Sequence, residues 1–147
     1  MGFSKNSGKF VPKNKQKYKG DINDIVYRSN LELYYFRYMD ANTNVLEWGS
    51  EEVVIPYISP LDNSRHRYYM DLWVRVKTTN GKTAQLLLEI KPHAEQYQPK
   101  RPKNGKITQS YKNACATWLV NQAKWEYAKA WAKSRGMTFK VLTERDK

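Results

Sequence analysis

Two acidic residues interrupt segments that are otherwise apolar, and a lysine follows the second of them. Asp71 lies in the middle of the largely apolar segment 68–74, and Glu89 follows three leucines, two residues before Lys91. Carboxylates are rarely buried unless they are paired or bound to a cation, so both acids need a partner. Two converging carboxylates, a phosphate oxygen and water make the all-oxygen environment that Mg²⁺ or Mn²⁺ prefers. The three residues therefore predict a metal-dependent hydrolytic site, with Lys91 orienting water or stabilising negative charge.

A hairpin can bring these residues together. The segments 67–77 and 83–91 have strand character, and the turn sequence 79–82 between them contains an Asn-Gly pair, which is typical of a hairpin. Because the midpoint lies near residue 80, Asp71 should lie opposite Glu89 or the residue after it. Strand alternation puts Glu89 and the lysine two residues later on one face. A buried salt-bridge cluster without chemistry is the alternative.

The remaining pattern predicts a mixed α/β domain in which helices flank a mixed sheet. A helical stripe, with Ser29 or Asn30 as its N-cap, predicts the first helix. The three leucines before Glu89 predict a strand buried on both faces and hence central in its sheet. The predicted order is a helix at 27–40, a three-strand meander at 53–58, 67–77 and 83–91, a long helix at 109–135 and a strand at 139–142.

The charge indicates a polyanionic partner. Lys and Arg number 26 against 14 Asp and Glu, a net charge of +12, and nucleic acid is the usual partner of such an excess, although solubility alone is the alternative. Residues 1–20 hold six lysines and no acid, which predicts a flexible basic arm before a single domain at 21–147. The arm either follows phosphates or is a solvated terminus. The candidate DNA contacts are Lys13, Lys15, Lys17, Lys19, His93, Lys100, Arg101, Lys103, Lys106 and Lys124.

Composition also excludes some classes of protein. No apolar run approaches the roughly 20 residues that span a bilayer, and the first residues lack the apolar segment of a signal peptide, so we expect a soluble intracellular protein. The single cysteine, Cys115, excludes an internal disulfide and a thiolate metal cluster. The two histidines, His66 and His93, could contact phosphate or water but are more typical of ordinary polar residues.

Several segments together resemble the PD-(D/E)xK nuclease superfamily, in which one strand carries an Asp and the next carries (D/E)-x-Lys. In particular the chain looks like the phage T4-type head-completion nucleases, which are related to the endonuclease subunit of Tn7-like transposases. The short motif alone is weakly specific, but the agreement covers nearly all of 27–144. The segments that carry it are Tyr27-Arg28-Ser29-Asn30-Leu31-Glu32, the stretch from Glu47-Trp48 to Tyr57, Arg67-Tyr68-Tyr69-Met70-Asp71, Leu88-Glu89-Ile90-Lys91-Pro92, Asn121-Gln122-Ala123-Lys124-Trp125 and Phe139-Lys140-Val141-Leu142-Thr143-Glu144.

This resemblance implies a restriction-endonuclease-like core and a role for each matching residue. Asp71 would be the central metal ligand, Glu89 the second and the backbone carbonyl of Ile90 the third. Lys91 would be the catalytic lysine. Glu32 matches an acid that many members bring to the same metal site, although an acid in the first helical turn also favours the helix dipole. Met70 replaces the proline of the superfamily's name, a position that varies.

The resemblance also implies a biological setting. The protein would use Mg²⁺ or Mn²⁺ to cut double-stranded DNA inside a filled phage head before the head joins a tail. It would act in the host cytoplasm during assembly or within the virion, near portal or neck proteins, without a membrane. A homodimer would suit double-strand cutting. Two alternatives stay open: a non-catalytic DNA-binding virion protein on a nuclease scaffold, and an endonuclease of recombination or transposition.

Overall fold

A four-stranded mixed sheet forms the centre of the fold. The structure, a computed structural model, describes residues 6–147. The central sheet has the order β3-β6-β7-β8, in which β8 runs parallel to β7 and the other pairs are antiparallel. The elements are β1 Gly8–Lys9, β2 Val26–Tyr27, α1 Asn30–Ala41, β3 Val45–Ser50, β4 Val54–Ile58, β5 Arg65–Tyr69, β6 Leu72–Lys77, β7 Thr83–Ile90, α2 Gln109–Ser134 and β8 Thr138–Leu142.

The two helices pack on opposite faces of this sheet. Both begin with the hydroxyl cap that their sequences predict or allow: Ser29 Oγ accepts from the Glu32 amide and Thr108 Oγ1 from the Tyr111 amide, each at 3.1 Å. After α2, Gly136 takes φ +72°, a left-handed conformation that ends the helix. The mixed α/β class and both predicted helices are confirmed. Across residues 6–147, no helix has the length and apolarity needed to cross a membrane.

The central hairpin has the predicted register. Leu72 pairs with Leu88, so Asp71 lies opposite Glu89 at the end of β6. Gly81, with φ +80°, supplies the left-handed residue of the turn. Strand β7 lies between β6 and β8, which confirms the central position predicted from its leucines.

The predicted strand at 67–77 is wrong in one respect, because the chain breaks it at Asp71. Residues before the break form β5, which pairs only with β4 in a separate two-stranded sheet, whereas β6 joins the central sheet. Tyr68 and Met70 face the α2 side, but Leu72 faces the α1 side. The bend thus reverses the face on which even-numbered residues lie. Strand β3, which the sequence pattern did not identify, takes the outer place that was predicted for 53–58.

The predicted flexible arm is also wrong over the part that the structure describes. Phe10 and Tyr18 are 8% and 7% exposed and pack with Trp48 in the α1-side core. The Asp40 carboxylate accepts from the backbone amides of Lys13 and Asn14 at 2.9 and 3.0 Å. The lysine-rich composition suggested that nothing would offset the entropy lost on ordering this segment. Aromatic burial and these hydrogen bonds do offset it. Residues 1–5 of the predicted arm lie outside the described residues.

Candidate active site

Asp71 stands at the bend between β5 and β6, at the end of the central hairpin. Its Oδ2 accepts a hydrogen bond from the backbone amide of Ile90 at 2.8 Å. Burial, and then the negative charge of Glu89, raise the pKa of Asp71 well above its ordinary value. The fold therefore places Asp71 where burial and the neighbouring Glu89 charge make its ionisation harder. A bound cation would remove that conflict.

Glu89 is the more deeply buried of the two acids, at 6% exposed. Its Oε2 accepts a hydrogen bond from the Tyr68 hydroxyl, and its Oε1 lies 3.8 Å from the Lys91 Nζ. Burial and the Glu89 charge raise the pKa of Tyr68. That hydroxyl therefore keeps its proton and remains a donor to Glu89.

Lys91 continues from β7 on the same face as Glu89, as strand alternation predicts. Its backbone amide donates to the Leu142 carbonyl at 3.0 Å, which holds it beside β8. Its side chain is 23% exposed, so the ammonium group can meet a substrate from solvent while staying beside Glu89. The expected triad of Asp71, Glu89 and Lys91 is thus assembled in space.

The donor atoms at this site suit a hard cation. The Asp71 and Glu89 carboxylates supply oxygens, and the Ile90 carbonyl faces the Asp71 side because N–H and C=O of one strand residue point the same way. Oxygen sets of this kind favour Mg²⁺ or Mn²⁺ over softer metals. Among residues 6–147, no three His, Cys, Asp or Glu side chains come together as a metal-holding group. The protein side chains at the centre are therefore a pair of carboxylates.

Glu32 lies in the first turn of α1, close enough for its charge to contribute to the raised pKa of Asp71. Its Oε2 accepts from the Arg28 amide at 2.9 Å, and its own amide is capped by Ser29. Burial is the main cause of its own raised pKa. Glu32 is therefore oriented by the helix cap and electrostatically linked to the site. Its role as a fourth metal ligand stays a prediction.

Two further residues belong to the site although the sequence did not single out their roles. Tyr68 positions Glu89, and Lys124 on α2 lies with its Nζ 5.3 Å from the centre of the Tyr68 ring and 5.8 Å from that of Tyr57. The alternation of Tyr68 with Met70 in a strand ending at Asp71 was the available signal for Tyr68. For Lys124, which was predicted only as a possible DNA contact, the structure shows a position above the site's tyrosines.

Glu144 anchors the turn that follows Lys91. Its two carboxylate oxygens lie 2.9 and 3.1 Å from the backbone amide of His93, and this hydrogen bond lowers the pKa of Glu144. The His93 ring packs edge-on against Tyr97, with centroids 5.2 Å apart. His93 therefore lies at the site's edge, in a turn that is tied to the end of β8.

The other predicted DNA contacts divide into two groups. Lys17 Nζ donates to the Asp40 and Asn42 carbonyls, and Lys19 Nζ lies 3.0 Å from Glu47 Oε2, so both serve structural contacts. The second group consists of the exposed cations Lys13, Lys15, Lys100, Arg101, Lys103 and Lys106. The last four lie between Tyr97 and α2, in the loop predicted to be basic. His66 pairs with Asp62 at the tip of the β4–β5 hairpin, 2.7 Å away, and is not at the site.

Comparison with known proteins agrees with this geometry. Residues 42–144 match the family model described as TnsA-like endonuclease N terminal. The head completion nuclease of Enterobacteria phage T4 is 41% identical over 140 residues, which cover 94% of this chain and 91% of that protein. Both matches include Asp71, Glu89 and Lys91; the family model begins after α1, whereas the phage T4 protein matches nearly the whole chain.

Proposed function

This chain belongs to the TnsA-like endonuclease family and has a nuclease function, and we propose that it hydrolyses phosphodiester bonds of double-stranded DNA with Mg²⁺ or Mn²⁺. The observation that carries the proposal is the meeting of Asp71 and Glu89 across the hairpin, with Lys91 beside them. A pair of carboxylates in a poorly solvated place, next to a cation that reaches solvent, is suited to chemistry on an anionic phosphate.

Asp71, Glu89 and the Ile90 carbonyl would hold the divalent ion, and Glu32 would approach it from α1. When bound, the ion would supply Lewis acidity that draws electron density away from the phosphate. The Ile90 amide fixes Asp71 and the Tyr68 hydroxyl fixes Glu89, so neither carboxylate needs to reorient when substrate arrives.

Lys91 would act on the substrate directly. Its ammonium can donate to the attacking water or to a phosphate oxygen while its position is held by Glu89 and by the β8 contact of its backbone. Charge that develops on the phosphate would then meet a fixed positive group, which lowers the barrier more than a mobile one would. Lys124 and the exposed basic loop at 97–108 would hold the DNA backbone against this centre.

For the biological setting we propose head completion, because the phage T4 relative has that name and matches over nearly the full chain. The nuclease would cut or trim packaged DNA before head–tail joining, in an infected host cell during assembly or in the virion. Portal or neck proteins would be its neighbours, and a homodimer would allow both strands to be cut. The alternative is a role in recombination or transposition, which the name of the family model favours.

A plasmid assay tests the activity. Supercoiled and linear DNA are incubated with the protein in Mg²⁺, in Mn²⁺ and in chelator, beside Asp71→Ala and Lys91→Ala. We expect cutting only with metal, and a loss of about 100-fold or more in each variant. Lys129→Ala is the matched control, because Lys129 is exposed on α2, away from the proposed site, and pairs with Glu126 at 3.2 Å.

Two outcomes would count against the proposal. If the wild type binds DNA but leaves it intact with either metal, the protein is a DNA-binding scaffold rather than a nuclease. If Asp71→Ala and Lys91→Ala cut as fast as Lys129→Ala, the catalytic centre lies elsewhere.

A further inference from the structure

A groove of about 630 Å³ lies beside the proposed active site, between the turn that follows Lys91 and the first half of α2. Its volume is within the range of sites that hold a small organic ligand, roughly 300–1,000 Å³. One wall is the segment from Ala94 to Lys100, and the other is the face of α2 that carries Trp118 and Asn121. The groove thus starts three residues after the lysine of the site.

Asn121 is a polar group that lines this groove. It is 6% exposed, yet its side-chain amide has no hydrogen bond to any other residue of 6–147. The buried side-chain nitrogens without a partner among residues 6–147 are those of Trp48, Trp118 and Trp125, so the Asn121 amide is accessible from the groove and can bond to a ligand there. An amide both donates and accepts, which matches the edges of nucleobases.

Tyr97 provides an aromatic surface at the mouth of the groove. Its side chain is 58% exposed, although the His93 ring holds it from one side. Exposed aromatic rings stack on unpaired bases with little dependence on sequence. Lys100 and Glu95 both line the groove, and Glu95 is the nearer of the two to Lys91 in the chain. A phosphate would therefore be attracted to Lys100 and repelled from the Glu95 carboxylate.

The groove keeps a fixed relation to the catalytic residues. Glu144 holds the amide of His93, which ties the wall of the groove to the end of β8. On the other wall, Asn121 lies one helical turn before Lys124, whose Nζ is 5.3 Å from the Tyr68 ring centre. A nucleotide in the groove would therefore be a near neighbour, along the same DNA strand, of a phosphate at the Asp71–Glu89 centre.

We propose that this groove binds an unpaired nucleotide of the DNA that the enzyme cuts, with its base stacked on Tyr97 and hydrogen-bonded to Asn121, and its phosphate near Lys100. The proposal rests on the nuclease function proposed above and specifies its substrate as DNA with unpaired bases next to the cleavage point. A base in a duplex must be unstacked and unpaired before it can enter, whereas a base in a flap, gap or frayed end enters without that cost.

Binding measured in chelator separates this inference from cleavage. The full chain is titrated with two DNAs of equal length, a blunt duplex and a duplex with a short single-stranded flap that contains 2-aminopurine. We expect the flap DNA to bind at least about 5-fold more tightly, and the 2-aminopurine fluorescence to be quenched by stacking on Tyr97. Tyr97→Ala and Asn121→Ala should each abolish most of the preference and the quenching.

Tyr38→Ala is the matched control, because Tyr38 is an exposed tyrosine, at 46%, on α1. It should keep both the preference and the quenching, and the thermal unfolding of each variant shows that the fold is intact. Equal affinity for blunt and flap DNA in the wild type would overturn the proposal, as would an unchanged preference in Tyr97→Ala. If free deoxynucleoside monophosphate is bound without any preference for flap DNA, the groove is not a DNA site. A preserved preference without cleavage would overturn the nuclease proposal alone.

Discussion

The two faces of the central sheet differ in what they bury. The α1 face packs aromatic and aliphatic side chains around Trp48, which is 0% exposed and contacts Phe10, Tyr18 and Phe36. The α2 face packs Trp125 and two alanines beside Tyr68, whose hydroxyl holds Glu89. The core cluster of the first face is apolar, whereas the second face brings a core together with the charged groups of the site.

This division shows how one sheet serves both stability and chemistry. The bend at Asp71 moves the chain from the α2 side, where Tyr68 and Met70 lie, to the α1 side, where Leu72 lies. The acid at the bend can then meet Glu89 without taking a place in the hydrophobic core. Residues on the α1 face should therefore determine stability, and those around the bend should determine activity.

The largest effect should come from Trp48→Ala on the α1 face. Removing a fully buried indole ring from three aromatic neighbours should lower the free energy of unfolding by about 3–5 kcal/mol. Urea unfolding followed by circular dichroism measures the change. Trp131→Ala is the comparison on α2, where the ring is partly exposed and the Arg135 guanidinium lies 3.9 Å from its centre. This substitution should lower the free energy of unfolding by about 1 kcal/mol. Equal losses of stability in the two variants would contradict the distinction between the faces.

Asp71→Asn should separate activity from stability. Cleavage should fall about 100-fold or more, because the carboxylate that is proposed to hold the divalent ion is lost. Burial and Glu89 raise the pKa of Asp71, so the folded state holds its proton more tightly than the unfolded state does. Wild-type stability therefore falls as pH rises above the ordinary carboxyl pKa of 3.8, and the variant lacks that loss. In chelator the variant should be more stable than wild type at pH 8, and this difference in stability should be smaller at pH 4. A variant less stable than wild type at pH 8 would show that the site is not strained by charge.

Tyr68→Phe tests whether the α2-face core positions the site. The ring and its packing stay, but Glu89 loses the hydroxyl that orients it. We expect kcat/KM to fall about 10- to 100-fold and half-maximal activity to require more divalent cation, with unfolding little changed. Tyr57→Phe is the control, because Tyr57 is buried in the same core and also lies under Lys124. If both variants lose activity equally, the effect is not specific to the Tyr68 hydroxyl and its hydrogen bond to Glu89.

The smallest effect should appear at the tip of the β4–β5 hairpin. The Ser64 amide and then His66 hold the pKa of Asp62 at about 2, below its ordinary 3.8. Its ionised form therefore stabilises the fold above pH 3.8, and that contribution is lost as pH falls toward about 2. Asp62→Asn should be less stable than wild type at neutral pH and equally stable at pH 2, with cleavage unchanged. NMR titration of the Asp62 carboxyl measures the pKa directly, and an ordinary value would contradict the expectation.

The elements that could be predicted from the sequence are those fixed by local patterns. The Asn80-Gly81 turn, the leucines of β7 and the Ser29 cap of α1 are short-range signals, and the turn placed Asp71 opposite Glu89. The family resemblance added predicted roles for Glu32 and Ile90, which the residue spacing did not supply.

The parts that the sequence did not reveal depend on long-range contacts. Strand β3 was missed because Gly49 and Ser50 weaken its pattern, and its position depends on pairing with β6. The composition of the N-terminal segment predicts a solvated tail, because the packing of Phe10 and Tyr18 against Trp48 is a long-range contact. Likewise, nothing local to Glu144 indicates that it holds the His93 amide.

The parallel pairing of β8 with β7 also sets the order in which the protein becomes complete. The hairpin that carries Asp71, Glu89 and Lys91 is synthesised before α2 and β8, but the backbone of Lys91 bonds to Leu142 in β8. Ribosomes add about 5–20 residues per second, so the hairpin exists for seconds before its α2-side cover does. A nascent chain therefore has both acids and Lys91 before it has the strand to which Lys91 bonds, so the proposed site is complete only after β8 has docked.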